Sequence, residues 1–277
     1  MIELSLDFEI GIVEYRNIIK VVKETYNYDF SDYALTSLKR RFERIMQVYR
    51  FRSPDLFIER LREDKNFFQV FLQEISIEST EMFRDPSFWR ILRNEILPLL
   101  ITDSFRPKIW FPSCVSGEEI YSLCLILKEN NWFDKCDIIA TCLNDNIIEH
   151  IKSGYFRSSK VDASGDNYDR YHGEFKLNNY YTIKGEQVTR DSSLIKNVNF
   201  IKQNINFDNS PQDVKLIICR NQFIYYSQGL QDKVVKLLYE SLILGGLLVI
   251  GNKEQIGSVN SKFFRAINEE ESVYKKI

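Results

Sequence analysis

With 277 residues, 44% of them hydrophobic and 27% charged, the chain has the balance of a globular protein and the length for one large domain, or an ordinary domain plus a small one. A net charge of −2 gives no whole-molecule field for nucleic acid, so an electrostatic partner has to be met by a local patch. Five scattered cysteines (Cys114, Cys124, Cys136, Cys142, Cys219) without a C-x-x-C pair, and two distant histidines (His150, His172), point to neither a disulfide framework nor a zinc site. The N-terminus MIELSLDFEI carries acids and lacks the pattern of a signal peptide, and no apolar run reaches bilayer length. A reduced, cytoplasmic, soluble chain is expected.

Residues 12 to 75 read as helical throughout. Ile12, Tyr15, Ile19 and Val22 share one helical face. Ser31 is a candidate N-cap for a helix whose inward face is Leu35, Leu38, Phe42, Ile45 and Tyr49. The other face carries Lys39, Arg40, Arg41 and Arg44. Ser53-Pro54 starts a third helix, with Phe57 and Leu61 inward, and a fourth covers about 66–75. These form an expected helical domain over 1–75.

Ser76 to Asp85 is a polar joint, and Asp85-Pro86 is the expected cap of a helix through Phe88, Ile91, Leu92 and Ile96. From Lys108 the period changes. The apolar run Ile109-Trp110-Phe111 predicts a buried strand that breaks at Pro112, followed by a tight loop to Gly117 and a helix through Ile120 to Leu127. A strand over Asp137 to Cys142 follows, then a helix that stops at Gly154. Val214 to Cys219 is another apolar strand. A helix from about 230 to 244, ended by Gly245-Gly246, hands over to a strand at Leu247 to Ile250. Such alternation predicts an α/β fold, a doubly wound and mostly parallel sheet over 76–277. Between Tyr155 and Val198 the pattern fails. The segment is polar and rich in tyrosine, and reads as a small β-rich subdomain inserted at about 156–197 with a hairpin turn at Lys184-Gly185.

Loops at strand ends are where open α/β sheets bind ligands, which puts weight on Lys108 to Glu119, K-I-W-F-P-S-C-V-S-G-E-E. No Gly-Lys-Ser/Thr follows, so it is not a P-loop, and one glycine does not make a dinucleotide fingerprint. Glu118 and Glu119 stand where a pyrophosphate would sit. Carboxylates at a helix start favour the dipole whatever their function. They also suit a ligand that is cationic or rich in hydroxyl and amine donors, such as S-adenosylmethionine.

Five motifs then occur in order: T-E-M-F-R-D-P (Thr80 to Pro86), C-V-S-G-E-E-I-Y-S-L (Cys114 to Leu123), I-I-A-T-C (Ile138 to Cys142), G-Y-F (Gly154 to Phe156) and L-I-I-C-R-N-Q-F-I-Y-Y (Leu216 to Tyr226). Together they resemble the chemotaxis receptor methyltransferase family, CheR. The resemblance covers nearly the whole chain. It implies a class I methyltransferase-like sheet, S-adenosylmethionine as cofactor, S-adenosylhomocysteine as product, and transfer of a methyl group to glutamate side chains on the cytoplasmic helical bundle of chemoreceptors. A monomer that is not membrane-inserted and does not bind nucleic acid is expected.

The resemblance also implies roles. Arg84 looks like the family's arginine near the methyl donor, and Tyr225 like the tyrosine at the mouth of the site; both are the expected catalytic residues. Glu118 resembles the acid that meets the cofactor's amino group. Asn204 and Ile205 resemble the pair at the adenine, and Thr80 a contact from the joint. Arg220 and Asn221, after the strand ending at Cys219, belong to the same expected cofactor set. Lys39, Arg40, Arg41 and Arg44 correspond to the helix that docks on the receptor, which competes with their reading as a solvated face. Two cofactor positions depart from the family. Glu78 stands where an asparagine is usual, and Cys142 replaces the aspartate that accepts from both ribose hydroxyls; Asp145 is the next acid. A thiol is a weak acceptor, so a non-catalytic, partner-binding homologue is the alternative.

Overall fold

The computed structural model describes residues 9–76, 80–101, 106–203 and 210–277. They fall into two compact units: the N-terminal segment to residue 77 together with 222–233, and residues 78–221 together with 234–277.

The first unit contains α1 (Ile12–Tyr26), α2 (Leu35–Val48), α3 (Pro54–Glu63) and α4 (Lys65–Ser76). Its centre is aromatic: Phe42, Phe57, Phe68 and Phe71 are fully buried, and Tyr26 stacks on Phe68 with ring centroids 3.6 Å apart. Ser53 caps α3 by accepting from the Leu56 amide, with Pro54 in the first turn, where a missing N–H costs nothing. Asp64 caps α4, its carboxylate accepting from the Asn66 and Phe67 amides at 2.9 and 3.0 Å. Ser31 is not a cap. α2 starts at Leu35 behind Ala34, which has no side chain to accept with, while the Ser31 amide donates to Asp29. Leu35 and Tyr49 are also exposed, and Met46 fills the inward face instead.

In the second unit α5 (Pro86–Ile91) and α6 (Leu97–Ile101) are joined by one π-helical stretch, Leu92–Ile96. Pro98 lacks an amide for the ordinary ladder and its ring crowds the preceding turn, which a widened turn relieves. Then follow β1 (Lys108–Cys114), α7 (Glu118–Glu129), β2 (Asp137–Cys142), α8 (Asp145–Lys152), β3 (Tyr155–Phe156), α9 (Val161–Tyr171), β4 (Tyr181–Lys184), β5 (Gln187–Arg190), β6 (Val198–Lys202), β7 (Val214–Cys219), α10 (Gln228–Ser241), β8 (Leu242–Ile250), α11 (Ser258–Ser261), β9 (Phe264–Asn268) and β10 (Val273–Lys276).

The main sheet runs β6-β2-β1-β7-β8-β10-β9. The pairs β6-β2, β2-β1, β1-β7 and β7-β8 are parallel, and only β10 is reversed against both neighbours. This is the mostly parallel, doubly wound sheet that the alternating pattern predicts. Strand order reverses at β1/β7, so the carboxyl ends of β1, β2 and β7 form the switch point. Pro112 shapes it: β1 does not stop there, but its ladder with β2 shifts register between Phe111 and Cys114, and pairing with β7 covers only Ile109 and Trp110. A proline cannot donate to a central ladder, which accounts for the break in regular pairing at this position.

Two expectations need correction. Gly245-Gly246 does not end α10. The helix stops at Ser241, and both glycines lie inside β8, where Val214 pairs with Leu242 but Leu216 already pairs with Leu247. They absorb a bulge, Gly245 with φ +73°. Nor is the insertion simply β-rich. It holds the helix α9 beside a three-stranded sheet, β3-β5-β4, whose β4–β5 turn carries Gly185 at φ +61°. Its tyrosines pack inward: Tyr168 and Tyr180 donate to Glu129 at the end of α7.

Candidate active site

The joint from Thr80 to Pro86 is conformationally unusual. Phe83 and Asp85 both have positive φ, 54° and 55°, which costs a non-glycine residue about 1–3 kcal/mol each. Surrounding contacts over-determine it. The Met82 amide donates to Ser164 Oγ at 3.2 Å, the Phe83 amide to Ser122 Oγ at 2.9 Å, and Trp89 Nε1 to the Arg84 carbonyl at 2.8 Å. The Phe83 ring is fully buried against Trp89, Tyr168 and Tyr171. Asp85 does not cap α5 with its side chain; its Oδ2 accepts from Arg220 Nη2 at 2.7 Å. Arg84, half-buried between two fixed neighbours, is thereby presented on a rigid support.

At the end of β1 the chain turns through Gly117, φ +82°, where a Cβ would lie 2.7 Å from Ile151 Cγ2. The turn puts Glu118 at the start of α7 with 5% of its surface exposed. Its partner comes from the insertion. Arg190, on β5 and 2% exposed, donates through Nη2 to the carbonyls of Ser116 at 3.1 Å and Tyr155 at 2.8 Å, and through Nε to that of Gly154 at 3.4 Å. Its guanidinium lies over the Tyr121 ring, 4.2 Å from the centroid. Burial lowers its pKa, and Glu118 pulls the other way. Arg190 Nη1 and Glu118 Oε1 are 4.0 Å apart, beyond hydrogen-bond reach. Glu118 Oε2 and Arg190 Nη1 are both buried without a hydrogen-bond partner among the described residues.

Glu119, one residue on, has its carboxyl pushed up to about 7 by burial, while Arg220 and Arg84 pull it down and Glu118 and Glu254 raise it. Arg84, Glu118, Glu119, Arg220 and Glu254 thus share one electrostatic neighbourhood. Glu254 ties the strand ends together, accepting at Oε2 from the amides of Asn221 (2.9 Å) and Gly251 (2.6 Å).

Three thiols end the neighbouring strands β2, β1 and β7: Cys142, Cys114 and Cys219. Cys114 and Cys142 are in register, and burial pushes the Cys114 thiol well up. A thiol shifted in that direction, as at Cys114, is a poor nucleophile. Asp145 does not reach back towards Cys142. It is exposed and pairs with Lys202 at 3.1 Å. Between the two, Asn144 caps α8 by accepting from the Ile147 amide at 2.9 Å, and its Nδ2 is buried without a partner.

The chain matches the family models for the CheR methyltransferase all-alpha domain over residues 13–76 and the CheR methyltransferase SAM binding domain over 78–272. It belongs to the CheR methyltransferase family. The Pseudomonas putida protein Cher3 is 32% identical over 265 residues, 95% of this chain and 97% of that one. A chemotaxis protein methyltransferase of Listeria monocytogenes is 27% identical, covering 88% of this chain and 90% of its own length. One of Borreliella burgdorferi is 24% identical, covering 94% and 95%.

A CheR sheet unit is an S-adenosylmethionine-binding methyltransferase domain, and the donor set here fits that cofactor at two points. An unpaired buried carboxylate oxygen at Glu118 suits an ammonium, and the free amide of Asn144 suits a hydroxyl oxygen. It fits poorly at Cys142, whose thiol is a weak acceptor for a ribose hydroxyl. No described helix is long and apolar enough to cross a membrane.

Of the residues expected from sequence, Thr80, Arg84, Glu118, Cys142, Arg220 and Asn221 lie in this unit around the switch point and the joint. Thr80 is fixed through its carbonyl, which accepts from Lys160. Glu78, Asn204 and Ile205 lie outside the described residues. Arg220 is better described as structural. Its side chain is 1% exposed and committed to Asp85, to the Ile250 carbonyl at 3.3 Å and to the face of Phe88. Tyr225 belongs to the helical unit, where its carbonyl accepts from Ala34 and its ring lies 4.0 Å beneath the Arg41 guanidinium. That contact also revises the basic row. Arg41 serves Tyr225 and the Ile75 carbonyl, and Lys39 pairs with Glu9 and Glu43, leaving Arg40 and Arg44 as its exposed members. Reasoning from sequence missed Arg190, Asn144 and Glu254. For Arg190 a signal exists: it stands two positions after the inward-facing Val188 on a strand, so it must face inward too.

Proposed function

We propose that this methyltransferase esterifies glutamate side chains on the cytoplasmic helical bundle of chemoreceptors, working in the cytoplasm as a monomer. The observation that carries the reading is the unspent carboxylate of Glu118 at the switch point, in the same electrostatic neighbourhood as Arg84 on its strained joint. S-adenosylmethionine, when bound, would supply a methyl carbon activated by its sulfonium for transfer to a carboxylate oxygen, with S-adenosylhomocysteine as the leaving product. Such a displacement asks the protein for alignment and charge placement more than for proton transfer.

Glu118 is the group we assign to the cofactor's ammonium, with Asn144 and Cys142 near the ribose and Thr80 and Asn221 lining the site. Arg84 can hold a carboxylate through two parallel N–H bonds, either the cofactor's own or that of the substrate glutamate. A joint that cannot relax keeps that fork aimed. Tyr225 is assigned to the reaction through its motif, and Arg40 and Arg44 to an acidic receptor surface, where charge mainly sets register and association rate. Incubation with methyl-labelled S-adenosylmethionine and a receptor cytoplasmic fragment is expected to give base-labile methyl esters; no label at saturating cofactor sinks the proposal.

A second reading has its own observation. Cys142 is buried and Asp145 is turned to Lys202, so neither of these two positions, among the described residues, places a carboxylate for the ribose. A partner-binding module that has lost its cofactor would look like this. Calorimetry with S-adenosylhomocysteine separates the two: micromolar binding supports the enzyme, and none at millimolar supports the module.

A further inference from the structure

Arg190, which belongs to none of the five motifs, comes from the central strand of the inserted subdomain and is a buried cation 4.0 Å from Glu118. A buried carboxylate normally spends its lone pairs on whatever neutralises it. Here the two are separated. Arg190 is anchored by three backbone carbonyls, Ser116, Gly154 and Tyr155, drawn from the loop before α7 and from the start of the insertion. At 4.0 Å from Glu118 Oε1 it offsets the cost of burying the charge, but it makes no hydrogen bond, and Glu118 Oε2 stays unpartnered. The room for movement is on one side only. Arg190 is pinned, whereas the terminal torsion of a glutamate is soft.

We infer that Arg190 is a positioning residue that holds Glu118 buried and free to bind, so that the insertion sets the affinity of the site for ligands carrying an amino group. The inference rests on the assignment of Glu118 to the cofactor's ammonium. A close approach supports the coupling. A Cβ on Gly154 would lie 2.6 Å from the Arg190 carbonyl, so the first turn of the insertion and β5 are held together with no space to spare.

Three ligands test it by calorimetry on the intact chain: S-adenosylhomocysteine, with amino and carboxylate groups; its decarboxylated analogue, with the amine alone; and 5′-methylthioadenosine, with neither. Arg190→Gln is expected to weaken the two amine-bearing ligands alike, by about tenfold or more, and to leave 5′-methylthioadenosine within about twofold. Equal weakening of all three marks a purely structural arginine and overturns the inference. So does loss confined to S-adenosylhomocysteine, which marks direct contact with its carboxylate, and so does no change at all. Glu118→Gln is the control. If it fails to discriminate against the amine-bearing ligands, the assignment of Glu118 falls; if it discriminates and Arg190→Gln does not, only the present inference falls. Should Arg190→Gln not fold, Arg190→Lys retains the charge but not the three-carbonyl anchor. It is expected to show the same selectivity at smaller size, and an unselective loss overturns the inference.

Discussion

The clamp between Asp85 and Arg220 makes an asymmetric prediction. The two side chains meet at 2.7 Å, but Arg220 is 1% exposed and Asp85 27%. Removing one partner of a buried pair costs about 3–5 kcal/mol when the other is left as an uncompensated charge. Asp85→Asn leaves the guanidinium in that position. Asparagine tolerates positive φ and still accepts one neutral hydrogen bond, and Glu119 remains a distant counter-charge, so about 3 kcal/mol is expected. Arg220→Met removes the buried charge altogether. It loses the bond to the Ile250 carbonyl, keeps volume and a thioether over Phe88, and leaves Asp85 able to hydrate; about 1–2 kcal/mol is expected. For a domain of this size that is a fall in Tm of about 6–12 °C for Asp85→Asn and about 2–8 °C for Arg220→Met. The double variant should match Arg220→Met, a coupling of about 3 kcal/mol. Urea or thermal unfolding of the four proteins decides it. Arg220→Met costing as much as Asp85→Asn, or additive effects, refutes the account of the clamp.

Cys142→Asp restores a charged acceptor for the ribose and should tighten S-adenosylhomocysteine by about 1.5–3 kcal/mol, roughly ten- to a hundredfold; an unchanged Kd means the thiol is not the weak point. Glu119, with its carboxyl raised from 4.5 to about 7, binds its proton more tightly folded than unfolded. Its contribution is therefore complete below the unfolded value and lost as pH rises through about 7. Glu119→Gln should gain stability over the parent at pH 8 relative to pH 5 in paired melts, and a difference that does not change with pH counts against the burial argument. Gly117→Ala forces a side chain into φ +82° and against Ile151, and should cost about 1–3 kcal/mol in denaturant titration. A neutral result there would mean that the turn relaxes without it.

What the sequence makes legible follows the range of the interactions involved. Buried parallel strands need apolar residues on both faces, so Asp137–Cys142 and Val214–Cys219 stand out as runs. The loop at Gly117 is legible for a local reason, a backbone turn that excludes a side chain. Errors arise where a local sign has a distant cause. Gly245-Gly246 looks like a helix stop because glycine commonly follows helices, but its work is to let β8 catch up with β7. α9 is missed because V-D-A-S-G-D-N-Y-D-R-Y is polar with a central glycine. Its buried positions, Ser164, Tyr168 and Tyr171, are nonetheless at helical spacing, and tyrosines that suggest strands are its inward face.

The site shows the same division at finer scale. Arg84 can be singled out from its motif, but its neighbour Asp85 is held by Arg220, 135 positions further along the chain. Arg220 looks like a ligand-binding arginine in sequence, and in the structure its guanidinium donates to Asp85 and the Ile250 carbonyl. Arg190 is hidden from the sequence for the opposite reason: it carries no motif and reaches Glu118 only because β5 folds back onto the turn at Gly154. Both cases concern arginines near an anionic loop, where a guanidinium can equally serve a ligand or a neighbouring carboxylate. Burial separates the cases: Arg220 and Arg190, each 2% exposed, are spent on the protein, whereas Arg84 is half-buried. Two of these three guanidiniums are therefore held by backbone carbonyls or a neighbouring carboxylate of the protein itself.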